Sequence, residues 1–161
     1  MPTAQVLSPF PLEDHSHTEC QRAALVQAQC ACEQKGVRLT PLRQRVLELV
    51  WNSHEPVKAY DILAKLVDEG RPAAPPTVYR ALGFLREVGL VHKIESLNAY
   101  VGCGRPGHAA TVQFFICRAC GQIAEISDSR LAALFAEGAR QLGFVMDSPT
   151  VEIHGHCSKC G

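Results

Sequence analysis

The sequence carries no surplus of charge, no long apolar run and no internal repeat. Sixteen Lys/Arg balance sixteen Asp/Glu over 161 residues, which excludes a protein coated in positive charge. No stretch of about eighteen apolar residues occurs, which excludes a helical membrane span. Without repeats or low-complexity tracts the chain is neither a solenoid nor a compositionally biased filament. The opening residues Met1-Pro2-Thr3-Ala4-Gln5 lack the basic start and apolar stretch of an export signal, so the expected address is cytoplasmic. At 47% hydrophobic and 20% charged residues, disorder over most of the length is excluded too. The length suits one ordinary domain or two small ones.

Cysteine is what the chain has in plenty. Eight thiols without an export signal point to metal rather than disulfides, because the cytosol keeps thiols reduced. Cys117-Arg118-Ala119-Cys120 is followed after 36 residues by Cys157-Ser158-Lys159-Cys160. A two-residue spacer lets both sulfurs of a pair face one ion from a tight turn, and two such pairs supply a closed tetrahedral set for structural zinc. A closed site has no open position for water, so it implies neither catalysis nor a small-molecule substrate. The charge, though balanced, is unevenly spread. From residue 35 to residue 93 ten basic residues meet six acidic ones, a surplus of +4, whereas from residue 98 onward there are five of each. That modest surplus lies where a nucleic-acid reader would need it.

Residues 1–17, with three prolines and two histidines, read as a flexible arm. An Ala/Gln-rich helix is expected over 19–35, with Gly36 as its stop. Thr40 as N-cap and Pro41 at the first helical position open a second helix, with Leu42, Val46, Leu47, Leu49 and Val50 as its stripe. A third spans 59–69, with Ile62, Leu63, Leu66 and Val67 inward. After the Pro-rich turn at 71–76 a fourth runs to Val88, with Val78, Ala81, Leu82, Leu85 and Val88 on one side and Arg80, Gly83 and Glu87 opposite. Residues 90–94 and 99–101 make a hairpin around Leu97-Asn98. Three helices with a short turn and a trailing hairpin form a winged helix-turn-helix, 18–101. Residues 102–110 break all periodicity and read as a hinge. Strands at 111–117, 122–126 and 150–154 flank an amphipathic helix at 129–142, with Leu131, Leu134, Phe135 and Leu142 on one side, making a second domain over 111–161. Trp51, Phe114, Phe115 and Phe135 read as core. The fold class is therefore α+β: a winged-helix domain followed by a small α/β domain with a four-Cys zinc site.

Several segments resemble the Fur family of metalloregulators, most closely its zinc uptake branch. They are Arg38-Leu39-Thr40-Pro41, Ala59-Tyr60-Asp61-Ile62-Leu63, Pro75-Pro76-Thr77-Val78-Tyr79-Arg80-Ala81-Leu82, Val91-His92-Lys93-Ile94-Glu95-Ser96, Tyr100-Val101-Gly102-Cys103 and the two Cys pairs. The resemblance covers about residues 20–161 and implies a homodimeric repressor of zinc-acquisition genes, paired through its C-terminal α/β domain, that binds double-stranded operator DNA. It also implies a second, regulatory zinc beside the hinge, hence two per monomer, on His92, Cys103, His108 and Glu125. His154 and His156 stand in reserve. One thiolate, two imidazoles and one carboxylate suit tetrahedral zinc and disfavour harder ions. The iron-type members carry a His-His-Asp-His cluster before the first Cys pair, where this chain has Gly107-His108-Ala109-Ala110.

Arg80 is the expected base reader, since its fork can donate two hydrogen bonds to guanine O6 and N7. Tyr60 matches a DNA-touching position of the family. Thr77, Tyr79, Arg38, Arg43 and Lys58 are expected at phosphates, where contacts position without reading sequence. A third site on His15, His17, Cys20, Cys30 and Cys32 is not expected, because Cys30 and Cys32 point different ways on one helix and the arm histidines read as solvated. Three other readings compete: an iron or peroxide sensor of the same family, a zinc-ribbon adaptor without DNA binding, and a thiol oxidoreductase using the CxxC pairs. The last needs one pair at a helix N-terminus with a lowered pKa. Both pairs instead read as turns after strands.

Overall fold

A computed structural model describes residues 4–11, 16–107 and 111–161. In chain order the elements are β1 (Gln5–Ser8), α1 (His17–Gln34), α2 (Pro41–Val50), α3 (Ala59–Asp68), α4 (Pro75–Val88), β2 (Val91–Ile94), a 3-10 turn (Glu95–Leu97), β3 (Ala99–Gly102), β4 (Val112–Cys117), β5 (Ile123–Ser127), α5 (Ser129–Gln141) and β6 (Val151–Gly155). They group into two compact units, Pro11–Gly107 and a second made of Met1–Phe10 with His108–Gly161. No helix among the described residues is long and apolar enough to cross a membrane.

In the first unit each helix begins where local chemistry dictates. Ser16 caps α1 by accepting from the Glu19 N–H, and Thr40 caps α2 by accepting from the Arg43 N–H, each satisfying a donor the helix leaves open. Ala24, Ala28 and Cys32 recur every four residues and bury one side of α1. Val46, Leu47, Leu49 and Val50 of α2, Ile62 and Leu66 of α3, and Val78, Ala81, Leu82, Leu85 and Val88 of α4 meet in the core. The stripe of α3 is narrower than its sequence suggests: Val67, expected inward, is 55% exposed, because Ala59, Ile62 and Leu66 alone make the buried row. Gly89, at φ +83, ends α4 in the left-handed conformation that a side chain would resist. The hairpin β2–β3 pairs Val91 with Gly102 and His92 with Val101. Tyr100 also exchanges both backbone hydrogen bonds with Val57 (2.9 and 2.8 Å), fastening the wing to the segment before α3.

The second unit is a four-stranded sheet in the order β1-β5-β4-β6. β4 and β5 form an antiparallel hairpin, and α5 carries the chain back so that β6 lies parallel to β4. Gln5–Ser8, inside the arm expected to be flexible, is a strand paired antiparallel with β5. Its four residues are too few for alternation to register, and the free edge of β5 supplies the backbone partners. Phe114 is core, while Trp51, Phe115 and Phe135 are only half-buried. No residue of α5 is buried, and Leu134 and Leu142 on its apolar side are 63% and 82% exposed.

Candidate metal centres and nucleic-acid face

The four thiols gather because β4 and β6 run parallel and end together. Cys117 lies opposite Gly155, and each strand then enters a turn. Gly121, at φ +74, closes the first by donating to the Cys117 carbonyl at 3.0 Å. Cys160 and Gly161 close the second by donating to the Cys157 carbonyl at 2.9 and 3.0 Å. All four sulfurs lie within 4.8 Å of one another, and Cys120 and Cys157 stand 3.8 Å apart. A tetrahedron with zinc–sulfur bonds of ~2.3 Å has edges of ~3.8 Å, so the donor set and its spacing both fit zinc. The N–H groups of Cys120 and Cys157 hold the Cys117 thiol down to about 6, whereas the surrounding sulfurs push Cys160 up to about 12. One sulfur thus favours the thiolate outright, and a dication is the charge that brings its neighbours to that state. The lowered thiol at Cys117 would interest an oxidoreductase, but it is 1% exposed at the end of strand β4 rather than at a helix N-terminus, out of reach of a substrate disulfide.

The residues expected to sense metal are distributed over both units. In the first, His92 lies on β2 and Cys103 directly follows β3, its N–H donating to the Leu90 carbonyl at 2.9 Å. The register Val91–Gly102 and His92–Val101 puts both side chains on one face of the hairpin, with ligand atoms within 4.8 Å. Cys103 is buried and His92 half-buried. In the second unit Glu125 is 3% exposed on β5, opposite Phe114 of β4 and Ser8 of β1. A carboxylate so buried is rare unless matched by a partner. His108 falls outside the described residues. Of the reserves, His154 is exposed and faces Glu152 at 3.9 Å, and His156 is exposed. Toward a third site, Cys30 is exposed whereas Cys32 sits in the core, as their spacing implied. His17 stacks on His54 at 5.1 Å between ring centroids, and His15 lies outside the described residues.

Of the residues expected to meet DNA, Arg80 and Tyr79 are exposed on α4, and Tyr60 is 77% exposed at the start of α3, so it is no core-edge aromatic. Lys58, at the N-cap position of α3, and Arg38 are also exposed, and Thr77 is half-buried. Arg43 has a further task invisible in the sequence. Its guanidinium lies 3.6 Å over the Phe84 ring and donates to the Arg38 carbonyl at 2.7 Å, binding α2 to α4 through a cation–π contact. Trp51 and Gly102 likewise make a pair that the sequence does not announce: a Cβ on Gly102 would meet the indole at 2.2 Å. Only the bare glycine next to Cys103 hinted at a close approach.

The ferric uptake regulator family model matches residues 34–154. Over 139 residues the chain is 41% identical to the zinc uptake regulation protein of Escherichia coli (strain K12), covering 84% of this chain and 80% of that one. A solved zinc uptake regulator complexed with zinc and DNA is similar with a TM-score of 0.81 at 39% identity, over 86% of this chain and 93% of its own. A crystal structure of holo XcZur is similar with a TM-score of 0.79 at 40% identity, over 85% and 96%.

Proposed function

This chain belongs to the ferric uptake regulator family, and we propose that it is a zinc-responsive transcriptional repressor whose zinc-loaded homodimer binds operator DNA and silences zinc-uptake genes. The observation that supports this most is the likeness, at 39% identity, to a zinc uptake regulator complexed with zinc and DNA. Members of the family are regulators rather than enzymes, and the closed four-thiolate site agrees with that role. A regulator of operator DNA has the cytoplasm as its working place.

The mechanism assigns two jobs to two zinc ions per monomer. Zinc, when bound, would supply a fixed cross-link between its protein donors. Cys117, Cys120, Cys157 and Cys160 hold the first and tie the end of the chain to the β4 turn, where a small sheet has little core of its own to rely on. His92, Cys103, His108 and Glu125 hold the second. Because these ligands come from both units, zinc affinity and the freedom of the DNA-reading unit form one equilibrium. Cys103 directs the choice of metal, since a thiolate favours zinc over iron or manganese in a mixed site. The loaded dimer presents two α4 helices to successive major grooves, ~34 Å apart. Arg80 reads a guanine there, Tyr60 meets a thymine methyl, and Thr77, Tyr79, Arg38, Arg43 and Lys58 meet phosphates. Pairing of two copies uses the apolar face of the second unit, where Leu134, Leu142 and Phe144, all more than half exposed, line an open groove of about 360 Å³.

The testing variant is Cys103→Ser. Metal analysis should give two zinc per monomer for the parent and one for the variant, with operator binding lost and the four-thiolate zinc retained. A variant that still carries two zinc and still binds the operator would refute the reading.

A further inference from the structure

The sheet of the second unit is completed by a strand from the opposite end of the chain. β1 pairs with β5 so that Gln5 faces Ser127, Val6 faces Ile126 and Ser8 faces Glu125, with a register shift between Val6 and Ser8. The family match begins at residue 34, so β1 lies outside it. Without β1, β5 would present a row of open backbone groups at the sheet edge. The residue opposite Ser8 is Glu125 itself, whose backbone is therefore held from two sides, by Phe114 of β4 and by β1. The chain then passes from β1 into the first unit, where α1 begins at His17. The nine steps from Ser8 to His17 reach at most ~32 Å when fully extended. The chain thus passes between the two units twice, before Pro11 and again after Gly107.

We propose that β1 is a strap that positions Glu125 for zinc, so that strap docking and occupancy of the sensing site favour each other. The strand is short, with Gln5 and Val6 exposed and Leu7 and Ser8 half-buried. Its docking therefore belongs to the weakly held end of the fold, where a small bias moves the population. A docked strap leaves less of β5 to be ordered when zinc arrives, which tightens zinc binding. Linkage requires that zinc in turn favours the docked strap by the same factor. This inference rests on the reading of Glu125 as a sensing ligand.

Four proteins test it: the full chain, a variant lacking residues 1–10, Val6→Pro, and Glu125→Gln. Val6→Pro keeps the length of the arm but removes one N–H and suits a ladder poorly. Each protein, with its four-thiolate zinc in place, is titrated with zinc against a competing chelator. Amide exchange of residues 123–127 is followed with the sensing site stripped. Both arm variants are expected to weaken the second zinc about fivefold or more and to speed exchange in β5, while the first zinc stays bound. Glu125→Gln is expected to lose the second zinc with the strap intact. Unchanged affinity and unchanged exchange in both arm variants would overturn the strap and leave the sensing ligand standing. A Glu125→Gln protein that keeps the second zinc at parental affinity would overturn the ligand reading, and the strap's positioning role with it.

Discussion

Gly102 and Trp51 illustrate how a single missing side chain shapes the wing beside the proposed ligand Cys103. A methyl group on Gly102 would sit 2.2 Å from the indole Cε2, so β3 must retreat or the ring must turn. Gly102→Ala is expected to destabilise the first unit by about 1–3 kcal/mol, as overpacking does, measured as a lower denaturation midpoint. Its second zinc should also weaken, because Cys103 is the next residue. Arg80 makes the opposite case, a side chain exposed on α4 with no packing duty to lose. Arg80→Ala should cost about 1–3 kcal/mol of base discrimination and leave zinc content and melting temperature unchanged. Unaltered operator selectivity at fixed salt would contradict its role. The outward position of Arg80 was legible in the sequence because helical period is a local property. The Gly102–Trp51 and Arg43–Phe84 contacts join residues remote in sequence, and no period records them.

Capping decides where α5 starts. Asp128 accepts from the Arg130 backbone N–H at 2.9 Å and is also bound by the Arg130 guanidinium, and the two together hold its carboxyl below the ordinary value. A group depressed in this way stabilises the fold above its ordinary pKa, and that contribution is lost as pH falls through the lower folded value. Acid unfolding of the second unit should therefore shift when Asp128→Asn removes the titration. Identical acid profiles for parent and variant would contradict the cap. The helices and the β2–β3 hairpin were readable because caps, glycine stops and stripes are all short-range signals. The partner of the apolar side of α5 was not, since Leu134 and Leu142 repeat in the same way whether they face their own core or a second copy. Leu134→Glu should accordingly shift the sedimenting mass from dimer toward monomer without displacing zinc. Strand β1 was hidden for another reason: four residues among prolines carry no usable period, and the edge they cover lies more than a hundred residues away.

Periodicity stops after Val101, where the sequence leads one to expect a hinge over 102–110, and the two compact units divide between Gly107 and His108, with residues 1–10 joining the second. The four-thiolate centre was legible as well, since paired CxxC spacing brings its own geometry. The proposed sensing set is not readable from spacing, as His92, Cys103 and Glu125 are isolated letters until a family likeness groups them. The two centres should therefore part under chelation. Withdrawing the weaker zinc should leave the sheet folded, whereas stripping the four-thiolate zinc should unfold the second unit, seen as loss of amide protection in β4 and β6. Zinc control requires that the weaker zinc govern DNA binding. Operator affinity is to be measured at one fixed salt concentration, with the four-thiolate zinc retained and the sensing zinc present or withdrawn. Withdrawal is expected to reduce operator affinity to that for unrelated DNA, and equal operator affinity in the two states would contradict zinc control.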